Sequence, residues 1–138
     1  MTTVDLRQYK FLIPEYVSMR NRYVSELMTI PITLEMTIDW LDARPSKGMV
    51  FCVLSGNSLV GAFIISFERR QEFSVFVDKP GTGTGRFILG ELERVCRSEG
   101  ISKIWARIRD DNVRAKAFFD KYFTRTALGW EKTFETHN

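Results

Sequence analysis

Residues 73–99 of the chain, FSVFVDKPGTGTGRFILGELERVCRSE, decide its fold. The stretch opens with Phe73, Val75 and Val77 at alternating positions, and this period of two predicts a β-strand. It breaks at Lys79-Pro80 and then passes through three closely spaced glycines. Beyond the glycines, apolar side chains recur at helical spacing, which predicts an amphipathic helix. Its predicted apolar face consists of Ile88, Leu89, Leu92, Val95 and Cys96.

A strand that passes through a glycine-rich turn into a helix predicts a phosphate site. The unpaired backbone N–H groups and the positive end of the helix dipole point to one place there, and glycine lets an anion approach the backbone. The turn is not a Walker A loop, because Gly85 is followed by Arg86 and Phe87. It also departs from the dinucleotide pattern, where the third glycine is replaced by Arg86. A tight connection without a ligand is the alternative interpretation.

The composition indicates one globular domain over residues 1–138. The net charge of +3 is interspersed along the chain, which argues against a nucleic-acid partner. The N-terminal residues lack a signal-peptide pattern and no apolar run nears the length of a membrane span, so we expect a cytoplasmic protein with no membrane partner. The two cysteines, Cys52 and Cys96, lack metal-ligand spacing, and His137 is the single histidine. We therefore expect reduced core cysteines and no metal.

The other segments predict an order of strands and helices. Before residues 73–99 we expect a strand at 3–9, helices at 14–28 and 34–43, and a hairpin of strands 49–54 and 59–67. Pro14 and Thr33 mark the helix starts, and the first helix should end near Met28. After it we expect a strand at 102–108, a helix at 113–123 and a final strand at 127–134. This order predicts a mixed sheet with helices packed on it.

Four features in this order resemble the GNAT superfamily of acyltransferases. They are the hairpin end Leu59-Val60-Gly61, the loop 80–85, the helix start Asn112-Val113-Arg114-Ala115 followed by Phe118, Phe119 and Lys121, and the segment Leu128-Gly129-Trp130. The loop has Pro80 where the family pattern has Gln or Arg. The resemblance covers nearly the whole chain and implies an α/β (α+β) fold. Its sheet would be central, mixed and mostly antiparallel, with six to seven strands flanked by about four helices.

The resemblance implies acetyl-CoA as co-substrate and suggests which residues hold it. The pyrophosphate would lie on the backbone of Gly81, Thr82, Gly83, Thr84 and Gly85, with Lys79 or Arg86 nearby. The pantetheine arm would run beside the strand at 73–77. Backbone N–H groups near Val75, Phe76 and Val77 would polarise the thioester carbonyl.

The helix that starts at Asn112 would complete the cofactor site. Asn112 would contact the cofactor arm, and Arg114 or Lys116 could meet the 3′-phosphate. The alternative is that Asn112 only caps its helix and that the two cations are solvated.

The acid–base residues are open to more than one interpretation. In the family an amine attacks the thioester directly in a ternary complex, and a carboxylate commonly takes its proton. Glu72, at the start of the fourth strand, is the first candidate for that carboxylate and Glu68 the second. The tyrosine that often protonates the leaving thiolate is replaced by Phe119. Either Tyr122, one helical turn on, serves instead, or the thiolate leaves without a side-chain acid.

The acceptor is predicted only as a class. The N-terminal third, with Arg20-Asn21, Ile32-Thr33-Leu34-Glu35 and Trp40-Leu41, resembles a subgroup that acetylates amines on nucleotide-linked sugars and, in its relatives, protein N-termini. We therefore expect a primary amine of a small molecule, with an amino sugar preferred. A protein N-terminus or lysine, and a CoA-binding module without catalysis, are the alternatives. A second copy of the chain could complete the short final strand, so a homodimer is a further expectation.

Overall fold

The computed structural model of the protein describes residues 1–23, 31–43, 47–78, 81–127 and 129–134. Within these ranges the chain forms seven strands and four α-helices. The strands are β1 (Thr2–Asp5), β2 (Gly48–Ser55), β3 (Ser58–Ser66), β4 (Glu72–Val77), β5 (Lys103–Ala106), β6 (Thr124–Thr126) and β7 (Gly129–Thr133). The helices are α1 (Ile13–Arg22), α2 (Leu34–Asp42), α3 (Thr84–Ser98) and α4 (Val113–Tyr122).

All seven strands form one sheet, in the order β1-β2-β3-β4-β5-β7-β6. Neighbouring strands are antiparallel except for β4 and β5, which are parallel because α3 carries the chain across between them. The predicted mixed, mostly antiparallel sheet is thus confirmed. The one parallel pair lies near the middle of the sheet, next to the glycine turn.

The sheet separates two hydrophobic cores, since successive side chains of a strand point to opposite faces. On one face, α3 and α4 pack against a cluster that includes Phe63 and Phe73. On the other face, α1 and α2 cover Ala62, Ile64 and Phe76. The predicted apolar face of α3 is confirmed, because its residues are buried or partly buried in the first cluster.

The N-terminal elements are shorter than predicted. The expected strand at 3–9 ends at Asp5, because the Asp5 carboxylate accepts a hydrogen bond from the Arg7 N–H at 2.9 Å and its carbonyl accepts from Tyr9. These bonds close a turn in place of a longer strand. Helix α1 starts at Ile13 and ends at Arg22, with Tyr23 as its C-cap, well before the predicted end. Met28, where that end was predicted, lies outside the described residues.

The C-terminal strands also differ from the prediction. Strand β5 covers 103–106, not 102–108, because the chain leaves the sheet where β5 separates from β4. The predicted final strand at 127–134 is two strands, β6 and β7, and Gly129 at the start of β7 has a φ of 150° that other residues rarely adopt. Leu128 and His137 lie outside the described residues.

Both cysteine thiols are buried in these cores, Cys52 on β2 and Cys96 on α3. Burial raises the pKa of each thiol from 9.0 to about 12, since the interior disfavours the thiolate. We expect neither thiol to react with a disulfide reagent such as DTNB at neutral pH until denaturant unfolds the protein. Above about pH 9 the folded state binds more protons than the unfolded state, so stability should fall as pH rises towards 12. Fast labelling of the native protein would contradict this burial.

No helix in the described ranges is both long enough and apolar enough to cross a membrane.

Candidate functional site

Strands β4 and β5 separate soon after they pair. They align at Glu72 and Trp105, where the Trp105 N–H donates to the Gln71 carbonyl at 3.3 Å. This is the single aligned pair between the two strands in the part of the chain that the structure describes, whereas β4 stays paired with β3 along its whole length. Beyond Glu72 the other edge of β4 is therefore open, and a cleft enters the sheet there.

The open edge of β4 turns backbone groups into this cleft. The Asp78 N–H donates to the Val60 carbonyl of β3 at 2.8 Å. Antiparallel pairing alternates along a strand, so Phe76 also directs its backbone groups towards β3. Val75 and Val77 then direct theirs the opposite way, to the edge that β5 has left. An extended arm lying in the cleft can hydrogen-bond to them as an added strand would.

The glycine turn after β4 is shaped for close approach. Gly81 and Gly83 have φ values of 83° and 85°, in the left-handed region that favours glycine. A Cβ at either position would meet no atom within 4 Å, so the turn faces open space on the side where side chains would be. The glycines are therefore required by the backbone conformation and leave room for a ligand.

The N-terminus of α3 has no side-chain cap. Its N-cap is Gly83, and the Phe87 N–H is the first to bond back, to the Gly83 carbonyl at 3.1 Å. The three amides before Phe87 consequently lack partners within the helix. By contrast, Thr33 caps α2 and Asn112 caps α4 with side-chain oxygens at 3.1 and 3.2 Å. The first turn of α3 also lacks acidic residues, so its dipole can bind an anion.

The space between β4, the glycine turn and α4 is a cleft of about 670 Å³, which we call the β4–β5 cleft. The predicted residues Phe76, Val77, Gly81, Gly85 and Asn112 line it. Arg114 lines it as well, whereas Lys116 bonds back to the Asp110 carbonyl at 3.4 Å. The β4–β5 cleft therefore borders the glycine turn and the start of α3 as well as the open edge of β4.

Other predicted residues of the turn take different positions. Thr82, Gly83, Thr84 and Arg86 are not among the described residues that line the β4–β5 cleft. The Thr84 side chain is buried, and its hydroxyl lies 2.9 Å from that of Thr82. These residues build the helix start, and any contact they make with an anion would be through backbone amides or, for Arg86, through an exposed side chain. Lys79 and Pro80 lie outside the described residues.

A model of the acetyltransferase (GNAT) family matches residues 10–123. The chain belongs to the GNAT family. It is therefore an acyltransferase that uses acetyl-CoA as acetyl donor, which favours an enzyme over a binding module without catalysis.

Solved structures share the fold of this GNAT acetyltransferase at low sequence identity. A ribosomal-protein-alanine N-acetyltransferase from Brucella melitensis is 19% identical with a TM-score of 0.79, covering 97% of this chain and 100% of that one. The protein yncA from Salmonella typhimurium, solved with its cofactor acetyl-CoA, is 20% identical with a TM-score of 0.77, covering 99% and 95%. An N-acetyltransferase from Staphylococcus aureus Mu50 is 16% identical with a TM-score of 0.76, covering 98% and 100%. No curated protein sequence matches this chain.

A second cavity of this GNAT enzyme lies between the sheet and the first two helices. This α1–α2 cavity has a volume of about 250 Å³. Val50, Ile64 and Ser74 form its sheet side, and Tyr16 and Trp40 are among the side chains that α1 and α2 contribute. Ser74 borders this cavity and the next residue, Val75, borders the β4–β5 cleft. The two spaces therefore border β4 at neighbouring residues, near the middle of the strand.

Glu72 is the first residue of β4, two residues before Ser74. Its side chain lines the α1–α2 cavity and is 8% exposed. One carboxylate oxygen is 3.2 Å from Arg107 Nε and the other is 3.7 Å from Arg69 Nη1. The two cations hold the carboxylate in one orientation, beside the point where β4 and β5 separate. Glu68, the second candidate, lines the same cavity but is more exposed and lies 3.9 Å from Lys47.

The backbone before Glu72 is strained. Arg70 and Gln71 have φ values of 56° and 62°, which side-chain-bearing residues adopt at a cost of about 1 kcal/mol each. The indole N–H of Trp105 donates a hydrogen bond to the Arg69 carbonyl at 2.9 Å, and the backbone N–H of Trp105 donates one to the Gln71 carbonyl. Strain that neighbouring contacts maintain in this way is typical of functional sites.

The structure does not bring Tyr122 to the cleft. Among the described residues, Phe118 and Phe119 are the aromatic side chains of α4 that line the β4–β5 cleft. Tyr122 packs against Phe118 with ring centroids 5.0 Å apart, and Lys121 lies over its ring. Phe119, where the family often has tyrosine, is buried among other aromatic rings. The geometry favours the interpretation in which the thiolate leaves without a side-chain acid.

Replacing Tyr122 with phenylalanine is therefore expected to change kcat by less than about threefold, since general acid catalysis commonly contributes a hundredfold or more. The measurement is steady-state thiol release from acetyl-CoA, with wild type as reference. A loss above about tenfold, with unchanged acetyl-CoA affinity, would assign the acid role to Tyr122.

Sequence reasoning missed three residues of the α1–α2 cavity and its border. Arg20 was named only as part of the segment that resembles a subgroup of the family. A cation four residues after Tyr16, on a largely apolar helix face, is nevertheless a signal in the sequence that could have indicated a binding residue. Arg107 and Trp105 are more than thirty residues from Glu72 in sequence. Their proximity depends on the pairing of β4 with β5, which no local pattern indicates.

Proposed function

We propose that this GNAT enzyme transfers the acetyl group of acetyl-CoA to the primary amine of a small molecule that binds in the α1–α2 cavity. The observation that supports this proposal is the position of the cavity, which borders β4 at Ser74, next to Val75 of the β4–β5 cleft. A volume of about 250 Å³ suits a small metabolite better than several residues of a peptide. An amine in this cavity would face the end of the cleft where the acetyl group is expected.

The reaction is a direct transfer between the two spaces. Acetyl-CoA supplies an activated acyl group as a thioester. The amine nitrogen bonds to the carbonyl carbon, the carbon–sulfur bond breaks, and the proton lost by nitrogen is balanced by the one that the thiolate gains. The products are an N-acetyl amine and free CoA. Holding the two reactants in one geometry supplies much of the rate enhancement, because a bimolecular reaction becomes effectively unimolecular.

The residues of the chain would divide this work. The uncapped amides at the start of α3 would hold phosphate. Backbone N–H groups of Val75 and Val77 would bind the extended arm and polarise the thioester carbonyl. Glu72 would accept the amine proton, directly or through water, because it is a buried carboxylate that lines the α1–α2 cavity at the start of β4. Asn112 uses its side-chain oxygen to cap α4, which leaves its amide nitrogen for the ligand.

An acceptor screen tests the proposed function. Purified protein is incubated with acetyl-CoA and single amines, and release of free thiol is followed together with product mass. The panel holds amino sugars, a nucleotide-linked amino sugar, amino acids, a peptide with a free N-terminal alanine and a lysine peptide with a blocked N-terminus. Turnover of small amines supports the proposal. Turnover of a peptide alone would replace it with the protein-acetylating alternative.

A further inference from the structure

Two arginines, Arg20 and Arg69, and two carboxylates, Glu68 and Glu72, line the α1–α2 cavity. Its carboxylates already have basic partners, because Glu72 lies beside Arg107 and Arg69 and Glu68 lies beside Lys47. Arg20, by contrast, has no carboxylate within ion-pair distance in the described part of the chain. An acceptor that carries only an ammonium group would therefore leave the charge of Arg20 without an anionic partner.

Because Arg20 is partly shielded from solvent, its lack of a carboxylate partner within the described ranges costs free energy. Its side chain lines the cavity, and its Nε atom is shielded from solvent without a hydrogen-bond partner among the described residues. Its Nη1 donates to the Tyr16 hydroxyl at 3.5 Å, which is at the long limit for a hydrogen bond. A charged donor group that lacks an acceptor costs more than a neutral one, and the half-buried Arg20 side chain, which lines the cavity, is open to an acceptor that arrives from outside.

Tyr16 adds a second donor at the same place. Its side chain is 1% exposed, and burial raises its pKa from 10.0 to about 12. The hydroxyl therefore keeps its proton at neutral pH. It accepts the long hydrogen bond from Arg20 and retains its own hydrogen to donate. A guanidinium and a protonated hydroxyl that converge on one wall match the oxygens of a carboxylate or phosphate.

We propose that the acceptor carries an oxyanion, a carboxylate or phosphate, that binds Arg20 and Tyr16 while its amine faces Glu72. This inference rests on the proposed function and narrows its substrate class to amines that are zwitterionic or anionic at neutral pH. Such an acceptor brings its ammonium to the carboxylate of Glu72 and its anion to the unpaired cation. Electrostatic complementarity of this kind selects against neutral and purely cationic amines.

Matched acceptor pairs test the proposal in the intact protein with saturating acetyl-CoA. Leucine against leucinamide, and alanine against alaninamide, isolate a carboxylate. Glucosamine 6-phosphate against glucosamine isolates a phosphate and separates the two sources of the oxyanion. In at least one pair we expect the member that carries the carboxylate or phosphate to have a kcat/KM about 30-fold or more above that of the member that lacks it, as charge-assisted hydrogen bonds give.

Variants of Arg20 show whether this residue binds the oxyanion of the acceptor. Arg20→Gln should raise KM for the anionic acceptor about 30-fold, with kcat changed less than about threefold. Arg20→Lys keeps the charge and should restore part of the loss. Arg97→Gln is the matched control, because this exposed arginine pairs with Glu93 on α3. Its KM should equal that of wild type, and acetyl-CoA affinity should be the same in all variants.

The possible failures are distinguishable. The anion proposal is wrong if acceptors with and without the oxyanion have equal kcat/KM, or if Arg20→Gln lowers kcat/KM equally for both. Either result leaves the proposed function standing. If no small amine is acetylated while acetyl-CoA still binds, both the proposed function and this inference are wrong.

Discussion

Replacing Gly83 with aspartate is expected to weaken acetyl-CoA binding by about 100-fold or more. Gly83 is the N-cap of α3, and a side chain there would extend into space that is open within 4 Å. A carboxylate at this point lies beside the amides proposed to hold the pyrophosphate. Two like charges about 4 Å apart repel by about 4 kcal/mol at an effective dielectric constant near 20. Screening by salt reduces this repulsion, but 2.7 kcal/mol already corresponds to about 100-fold. Isothermal titration with acetyl-CoA measures the effect.

Two further variants separate charge from shape and from position. Gly83→Asn has nearly the shape of the aspartate variant without its charge, and asparagine also tolerates the left-handed conformation at φ 85°. It should weaken binding about tenfold or less, because its side chain competes for the amides without repelling phosphate. Gly90→Asp places the same charge at an exposed position farther along α3 and should bind as wild type does.

Stability distinguishes lost binding from lost folding. Aspartate and asparagine both have to adopt the left-handed φ of 85° at this position, so the melting temperatures of the two ligand-free Gly83 variants should fall by a similar, small amount. A Gly83→Asp protein that is stable and binds acetyl-CoA with wild-type affinity would show that the phosphates lie elsewhere.

Replacing Glu72 with glutamine is expected to lower kcat about 100-fold while leaving the Kd for acetyl-CoA unchanged. Glutamine keeps the size of the side chain but cannot take a proton from the amine, and general base catalysis commonly contributes 10²- to 10⁴-fold. The Kd should hold because Glu72 borders the α1–α2 cavity and is not among the residues lining the β4–β5 cleft. Steady-state rates at saturating acetyl-CoA, together with titration, give the two quantities.

The control for Glu72 is the other carboxylate of the same cavity. Glu68→Gln removes a charge that is more exposed and farther from its cation, so kcat should change less than about threefold. The competing interpretation is that Glu72 only anchors Arg107 and Arg69. In that case Glu72→Gln would lower the melting temperature and leave kcat near the wild-type value.

Features that depend on neighbours in sequence were predictable. The amphipathic pattern of α3, the caps Thr33 and Asn112, and the glycine turn each follow from residues within a few positions of one another. This local information was sufficient to predict the strand-turn-helix arrangement beside the β4–β5 cleft.

Features that depend on distant partners were not predictable. Strand β5 is short because it separates from β4, although its sequence would suit a longer strand. The ion pair of Glu72 with Arg107 joins residues 35 positions apart, and the α1–α2 cavity combines two helices with three strands. Tyr122 was predicted by helical spacing alone, but packing against Phe118 determines where its ring lies. Periodicity indicates which residues share a face, whereas only the packed structure shows what that face meets.

The uncapped start of α3 links the stability of the protein to its ligand. Helices α2 and α4 each satisfy one of their first amides with the side chain of the N-cap residue, whereas α3 has no side-chain cap and would leave this task to the proposed phosphate. A side-chain cap commonly contributes about 1 kcal/mol, and the ligand-free protein forgoes that contribution at its longest helix. A ligand that binds only the folded state adds stability in proportion to the logarithm of its concentration over Kd. The lifetime of this enzyme against unfolding and proteolysis should therefore follow the supply of its acetyl donor.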